Sequence, residues 1–309
     1  VTAPTTLDEE PTMADQPETA EPGADKEVSE ALRRAARRSA DRAAQAAGVQ
    51  VRELAELPDL AQAAALIDRV WRPPAGNPLI TPELMRVIGH AGGYVVGAYA
   101  GDRMVAACVG LLAAEGLHSH IAGVEGHARG RSAGYALKLH QRGWALGRGI
   151  TTVSWTFDPL ISRNAYFNLA KLGAVPVEYL PDFYGAMQDE VNAGEETDRV
   201  LVHWSLTGER VAAACEGRPH VADAGPRPVV GLDAKPDGRP VEGRLDGATV
   251  LVRIPRDMEA MRASDPAVAR EWRHAVRDVL GGLMADGAAV TGFPRDGWYV
   301  IDNEGRTRS

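Results

Sequence analysis

The sequence predicts an α/β (α+β) protein in which a mixed sheet is flanked by helices. Three observations carry that prediction. Between residues 49 and 206, apolar periods of two and of helical spacing alternate in the order β, α, α, β, β, β, α, β, α, β, β. Inside that run an apolar strand (Ile121, Ala122, Val124) enters the turn VEGHARGRSAG, residues 124–134, and a helical pattern follows at once. Beyond Leu206 the texture changes, and a separate β-α-β-β pattern closes the chain.

The first elements follow in order. Residues 1–30 hold nine carboxylates, one lysine and almost no large apolar side chain. Such a segment cannot bury enough surface to offset ordering, so a disordered acidic tail is expected. Residues 31–47 switch to an Arg-rich helix former, read as a solvated helix. Together 1–47 form a tail ahead of the main domain, 48–207. There VQVREL, from Val49, alternates as a strand. A helix over 58–71 presents Leu60, Ala64, Ile67, Val70 and Trp71 on one face. Thr81 and Pro82 open a shorter helix to residue 90. Strands 93–100 and 103–112 meet at Gly101-Asp102, a hairpin signal.

A strand over 117–124 leads to the glycine turn. Helix 132–147 ends in Gly147-Arg148-Gly149, a C-cap signature. Strand 151–157 stops at Asp158-Pro159. Ser162 caps a helix that ends at Gly173, and strands near 174–180 and 199–206 complete the unit. Residues 208–309 form a C-terminal extension. It has a Gly-, Pro- and Asp-rich opening, a strand over 248–254, a helix from Asp265 to about Ala285 and a hairpin around Arg295-Asp296-Gly297. This unit is expected to pack on the main sheet or on a partner subunit, which leaves a homodimer open.

Composition narrows the function. The 309 residues allow one large domain or two modest ones, and 45% apolar with 25% charged residues is ordinary for a globular protein. A net charge of −8 argues against nucleic-acid partners. No apolar run nears the ~20 residues that span a bilayer, so no membrane partner is expected. Cys108 and Cys215 are too few for a disulfide framework or a cysteine zinc site and fit a reducing cytoplasm. The acidic N-terminus is unlike a secretory signal. Neither GxxxxGK[ST] nor GxGxxG is present, which disfavours nucleotide-kinase and Rossmann functions.

A strand that runs through a glycine turn into a helix N-terminus is an anion site. Its first-turn amides lack internal partners, and the helix dipole favours negative charge. This turn and the element order resemble the GNAT superfamily of acyl-CoA N-acyltransferases, over residues 49–206. Arg129-Gly130-Arg131-Ser132-Ala133-Gly134 stands where that family has Arg/Gln-x-x-Gly-x-Gly/Ala. The resemblance implies acetyl-CoA or another acyl-CoA as co-substrate, with its pyrophosphate held by Val124, Arg129, Gly130, Arg131, Ser132, Ala133 and Gly134. Ser132 replaces the first signature glycine and serves there provided that the position needs no positive φ. The helix from Asn164 to Gly173 resembles the second family motif. Asn164 matches the asparagine that contacts the coenzyme. Leu169 falls where a tyrosine often protonates the leaving thiolate, and Ala174 where a phenylalanine is usual. The text from Trp155 to Ala174, with FYGAM at 183–187, resembles a bacterial GNAT branch; the analogy hints at acetyl or succinyl transfer to an amino acid.

Acyl transfer from a thioester to an amine needs a neutral amine, a stabilised oxyanion and a tolerable leaving group. The ammonium, near pKa ~10, must lose a proton, and the thiol, near ~8.5, leaves more easily with an acid at hand. His118 and His120 lie two apart on the strand entering the turn and should share a face. His120 is the candidate base; its alternative is a histidine bonded to a backbone carbonyl. No third ligand accompanies the pair, so a metal is not expected. Asp158, at the end of the next strand, is a second catalytic candidate, with an Asx turn or helix cap as its alternative. Glu125 reads as a solvated carboxylate. Tyr184 is the substitute acid, with packing as its alternative. Arg199 suits a substrate carboxylate by a bidentate contact, with a structural ion pair to Asp198 as its alternative. The expected function is acyl transfer to a small-molecule amine; the competing class is a non-catalytic acyl-CoA-binding module.

Overall fold

The structure is a computed structural model that describes residues 22–128, 132–185, 187 and 195–305. Most of the acidic tail, 1–21, lies outside the described residues. Helix α1 spans Pro22–Ala47, so helix starts within the segment read as tail. It is also not solvated all round. Ala36, Ala40 and Ala43 recur at helical spacing and are buried against helix α4, Ala133–Gly147, while Arg34, Arg37, Arg38 and Arg42 point outward. Small residues let the two helices approach: a Cβ on Gly143 of α4 would lie 3.7 Å from the Arg37 backbone.

Seven strands form the main sheet: β1 Gln50–Glu53, β2 Tyr94–Ala100, β3 Arg103–Ala113, β4 Gly116–Val124, β5 Thr152–Phe157, β6 Val175–Leu180 and β7 Arg199–Ser205. Their order is β1-β2-β3-β4-β5-β7-β6, antiparallel except for the parallel β4–β5 step. Helices α2, Leu57–Trp71, and α3, Pro82–His90, cover one face with Leu60, Leu66, Ile67 and Met85. Thr81 caps α3 by accepting from the Leu84 amide at 3.2 Å. Helix α4 covers the other face, where Tyr94, Val96, Cys108, Leu117, Val153 and Trp155 alternate inward. Helix α5, Ser162–Ala165, continues into a π-helical stretch, Tyr166–Lys171.

The C-terminal residues add more structure than their sequence suggested. A short helix α6, Glu209–Cys215, leads to β8, Val229–Ala234, and β9, Pro240–Glu242. They join β10, Thr249–Arg253, β11, Ala289–Gly292, and β12, Trp298–Asp302, in a second sheet ordered β11-β12-β10-β8-β9. Helices α7, Met258–Ser264, and α8, Pro266–Val276, precede a π-helical turn at 277–281 and helix α9, Gly282–Ala285. Trp272, Val276, Leu280 and Tyr299 share one continuous core with Trp204 and Leu172 of the main unit, so the extension packs on its own chain. Among the described residues no helix is long and apolar enough to cross a membrane.

Candidate active site

The sheet forks between β4 and β5. These strands pair only at Leu117↔Val153 and His118↔Ser154. The cause lies in β4. Val109 pairs with Ile121 and Leu111 with His118, so Ser119 and His120 together oppose Gly110. This β-bulge bends the strand and re-aims its side chains. Gly110 accommodates it, since a Cβ there would lie 3.2 Å from the His118 carbonyl oxygen.

Past the fork, β4 reaches Val124, and a single turn at Gly126–Ala128 leads toward α4. Arg129, Gly130 and Arg131 lie outside the described residues. Ser132 is the N-cap of α4 with φ 65° and ψ 15°, and its hydroxyl makes no capping bond. The position therefore does need positive φ, contrary to the condition set on it above. Left-handed backbone costs a non-glycine residue roughly 1–2 kcal/mol. Ala133 is buried, and Gly134 lies against Val124. The amides that open α4 have no intrahelical acceptor and sit at the positive end of the helix dipole. Asn164 is half-buried in α5. Leu169 and Ala174 are fully buried, so the usual tyrosine site supplies no proton donor.

His118 and His120 flank the fork with ring centroids 6.4 Å apart, although the bulge interrupts strict alternation between them. His118 Nδ1 lies 3.1 Å from Ser154 Oγ, and the register extends this row to His203 on β7. Burial lowers the pKa of both His118 and His120, and His118 is lowered further by His120 and Lys138. Both rings are thus neutral at pH 7 and able to accept a proton. Tyr184, exposed in the turn after β6, brings its hydroxyl within 3.2 Å of Thr156 Oγ1 on β5. The Arg199 guanidinium stands 5.3 Å from the Tyr184 ring centroid. Burial lowers the Arg199 pKa, and Asp158 partly restores it.

Asp158 does not have a base's surroundings. Arg273 grips it with two bonds of 2.7 and 2.9 Å, and Arg262 adds a third at 2.9 Å. Burial alone would raise its pKa, but Arg273, then Arg262 and Arg199, hold it well below the carboxylate range. An acid that resists protonation in this way serves structure, because α7 and α8 supply both arginines. Its own turn uses it too: Leu160 N–H donates to Asp158 Oδ1 at 2.9 Å. Glu125 is likewise engaged rather than simply solvated, pairing Arg69 and Arg103 at 2.7 Å each.

Sequence reasoning missed a buried polar cluster behind the bulge. Lys138 Nζ donates to Ser119 Oγ at 2.9 Å and Gln141 Oε1 at 3.1 Å, and sits 3.6 Å from the Trp155 ring centroid. Gln141 Nε2 also donates to Ser119 Oγ at 3.2 Å. Periodicity alone does not show this burial, because Lys138 and Gln141 are polar and read as solvent-facing, whereas their side chains face Cys108, Ser119 and Trp155 of the sheet.

Residues 30–167 match the family model of the acetyltransferase (GNAT) domain. This segment is a GNAT acetyltransferase domain. The domain begins inside α1, consistent with the burial of that helix. Three solved structures are similar over about half of the chain. The ribosomal-protein-S18-alanine N-acetyltransferase from Escherichia coli is 15% identical, with 52% of this chain and 97% of that one covered and a TM-score of 0.42. YncA from Salmonella typhimurium, a putative acetyltransferase solved with acetyl-CoA, is 12% identical over 52% and 94%, with a TM-score of 0.43. Aminoglycoside 6'-acetyltransferase type Ii is 18% identical over 51% and 97%, with a TM-score of 0.40. Comparison with curated proteins finds no match.

Proposed function

We propose that this GNAT domain is an acyl-CoA-dependent N-acyltransferase acting on a small-molecule amine. The acyl group is short, acetyl or succinyl, and moves by direct attack of the amine on the thioester. One observation carries this reading: the β4–β5 fork opens beside an α4 N-terminus whose cap is left-handed. The turn from Val124 to Gly134 suits a pyrophosphate, and Asn164 a further coenzyme contact. Bound acyl-CoA supplies the activated carbonyl and the thiolate leaving group.

In this proposal His120, neutral and exposed beside the bulge, accepts the amine proton, directly or through water. The Tyr184 hydroxyl donates to the leaving thiolate in place of the residue lost at Leu169. Arg199, beside Tyr184, favours an acceptor that bears a carboxylate, and an amino acid meets that requirement. The burial of Leu169 and the strain at Ser132 favour a second reading, a non-catalytic acyl-CoA-binding module. Thiol release from acetyl-CoA and succinyl-CoA, screened across amino acids and amines, separates the two. Turnover supports the enzyme. Tight CoA binding without turnover across the panel selects the module, and no CoA binding rejects both.

A further inference from the structure

The β4–β5 ladder ends at His118↔Ser154, and the next residues along the two strands are Ser119 and Trp155. No strand bridge joins these two. A single ammonium from α4 does. Lys138 Nζ bonds Ser119 Oγ and Gln141 Oε1 and faces the Trp155 ring, so its three protons have three partners. Trp155 is fixed in turn, since its Nε1–H donates to Asn168 Oδ1 at 3.1 Å. Cys108 Sγ closes the cluster 3.6 Å from Ser119 Oγ.

Such an ammonium is costly. Lys138 is only 8% exposed, and a buried charge normally carries a counter-ion. Neither of its hydrogen-bond partners is a carboxylate. The titratable groups facing it are Cys108 from β3 and His118 from β4; β5 offers Trp155, and α4 offers Gln141. Burial raises the Cys108 thiol and lowers His118, so both are neutral near pH 7. A methionine would fill similar space without the desolvation cost. The charge therefore calls for a use beyond packing. The α4 N-terminus, six residues earlier, lies about 9 Å up the helix axis.

We infer that Lys138 is a positioning residue for the acyl-CoA site: it pins the fork between β4 and β5 and lends its charge to the anionic co-substrate. This rests on the acyl-CoA reading above. A polyanion bound nearby favours the charged lysine and so raises its pKa. In the free protein burial pushes Lys138 down to about 8, with Cys108 acting weakly the other way. The sign then follows. Affinity for acetyl-CoA is full below pH 8 and declines as pH rises through 8 toward the higher bound value. A rise of one unit on binding gives roughly five-fold weaker binding at pH 9 than at pH 7.

Acetyl-CoA is the probe, because its sulfur is acylated and its phosphates, with a second pKa near ~6, are ionised throughout this window. Calorimetric titration at pH 7 and pH 9 compares the intact protein with Lys138→Met and Lys138→Arg, each with its ligand-free melting temperature. The intact protein should lose about five-fold in affinity between the two pH values. Lys138→Met should bind more weakly at pH 7, lose the pH dependence and melt no lower. Lys138→Arg stays charged and should recover affinity without the pH dependence. Wild-type affinity or wild-type pH dependence in Lys138→Met overturns the inference, as does unfolding of that variant, which would make the ammonium part of the fold's own stability. If the intact protein binds no acetyl-CoA at either pH, the acyl-CoA reading itself fails.

Discussion

Two buried ionic clusters lie along β5, and they are built on opposite terms. At the end of the strand, Asp158 has a carboxylate's full complement of partners: Arg273 twice, Arg262 once and the Leu160 amide. Arg262 goes on to Glu195, and Arg277 repeats the theme with Asp198 at 2.5 Å. In mid-strand, beneath Trp155, Lys138 has neutral hydrogen-bond partners only. The first cluster joins two halves of the molecule: its carboxylate comes from the GNAT unit and its arginines from α7 and α8. The second places one charge from α4 between Ser119 of β4 and Trp155 of β5, where the two strands no longer pair. Compensated charge at a seam marks cohesion, whereas uncompensated charge beside a cleft marks a working site.

That contrast has measurable consequences. Asp158→Asn leaves the buried Arg273 guanidinium without its carboxylate, while Arg262 keeps Glu195, and should cost about 3 kcal/mol in denaturant unfolding. A loss under about 1 kcal/mol would remove the seam's claim to hold the halves together. The pH dependence comes next. Asp158 and Asp198 both have lowered folded pKa values; burial opposes the shift, and the arginines outweigh it. Their stabilisation is present above the ordinary carboxylate value of ~3.9 and is lost as pH falls from there toward the folded values. Melting temperatures followed from pH 6 to pH 3 should drop steeply, and less steeply in Asp158→Asn. Lys138→Met should move the other way, keeping or gaining about 1 kcal/mol in the ligand-free protein; an equal loss in both variants would erase the distinction between the clusters.

The backbone beside the fork carries the smallest effect. Ser132→Gly relieves the left-handed strain but loosens the unfolded chain, for a net gain of about 0.5 kcal/mol. Thermal unfolding of that variant would check it, and a loss instead would mean that the serine hydroxyl contributes at the cap.

Much of the fold was legible because it rests on local signals. Thr81 caps α3, Gly101-Asp102 turns the β2–β3 hairpin, and Asp265 caps α8 by accepting from the Val268 amide. Alternation in β5 and β7 put Val153, Trp155, Val202 and Trp204 in the core. The arginines of α1 misled, since their charge is obvious whereas the alanine face that packs on α4 is not. Asp158 misled for a related reason. Its position at a strand end near the cleft was read correctly, but its partners come from more than a hundred residues away.

The sequence by itself determined the order of strands and helices between residues 49 and 206, the glycine turn and the positions of His120, Asp158, Tyr184 and Arg199 along the chain. Periodicity, capping and turn chemistry are properties of neighbouring residues, so one chain suffices to read them. Only the tertiary structure decided that Asp158 is bound by arginines, that Ser132 is left-handed and that Lys138 stands buried beneath the fork. Each of these depends on which distant groups arrive at a given point. A charge acquires its role from the partners and the dielectric that folding brings to it.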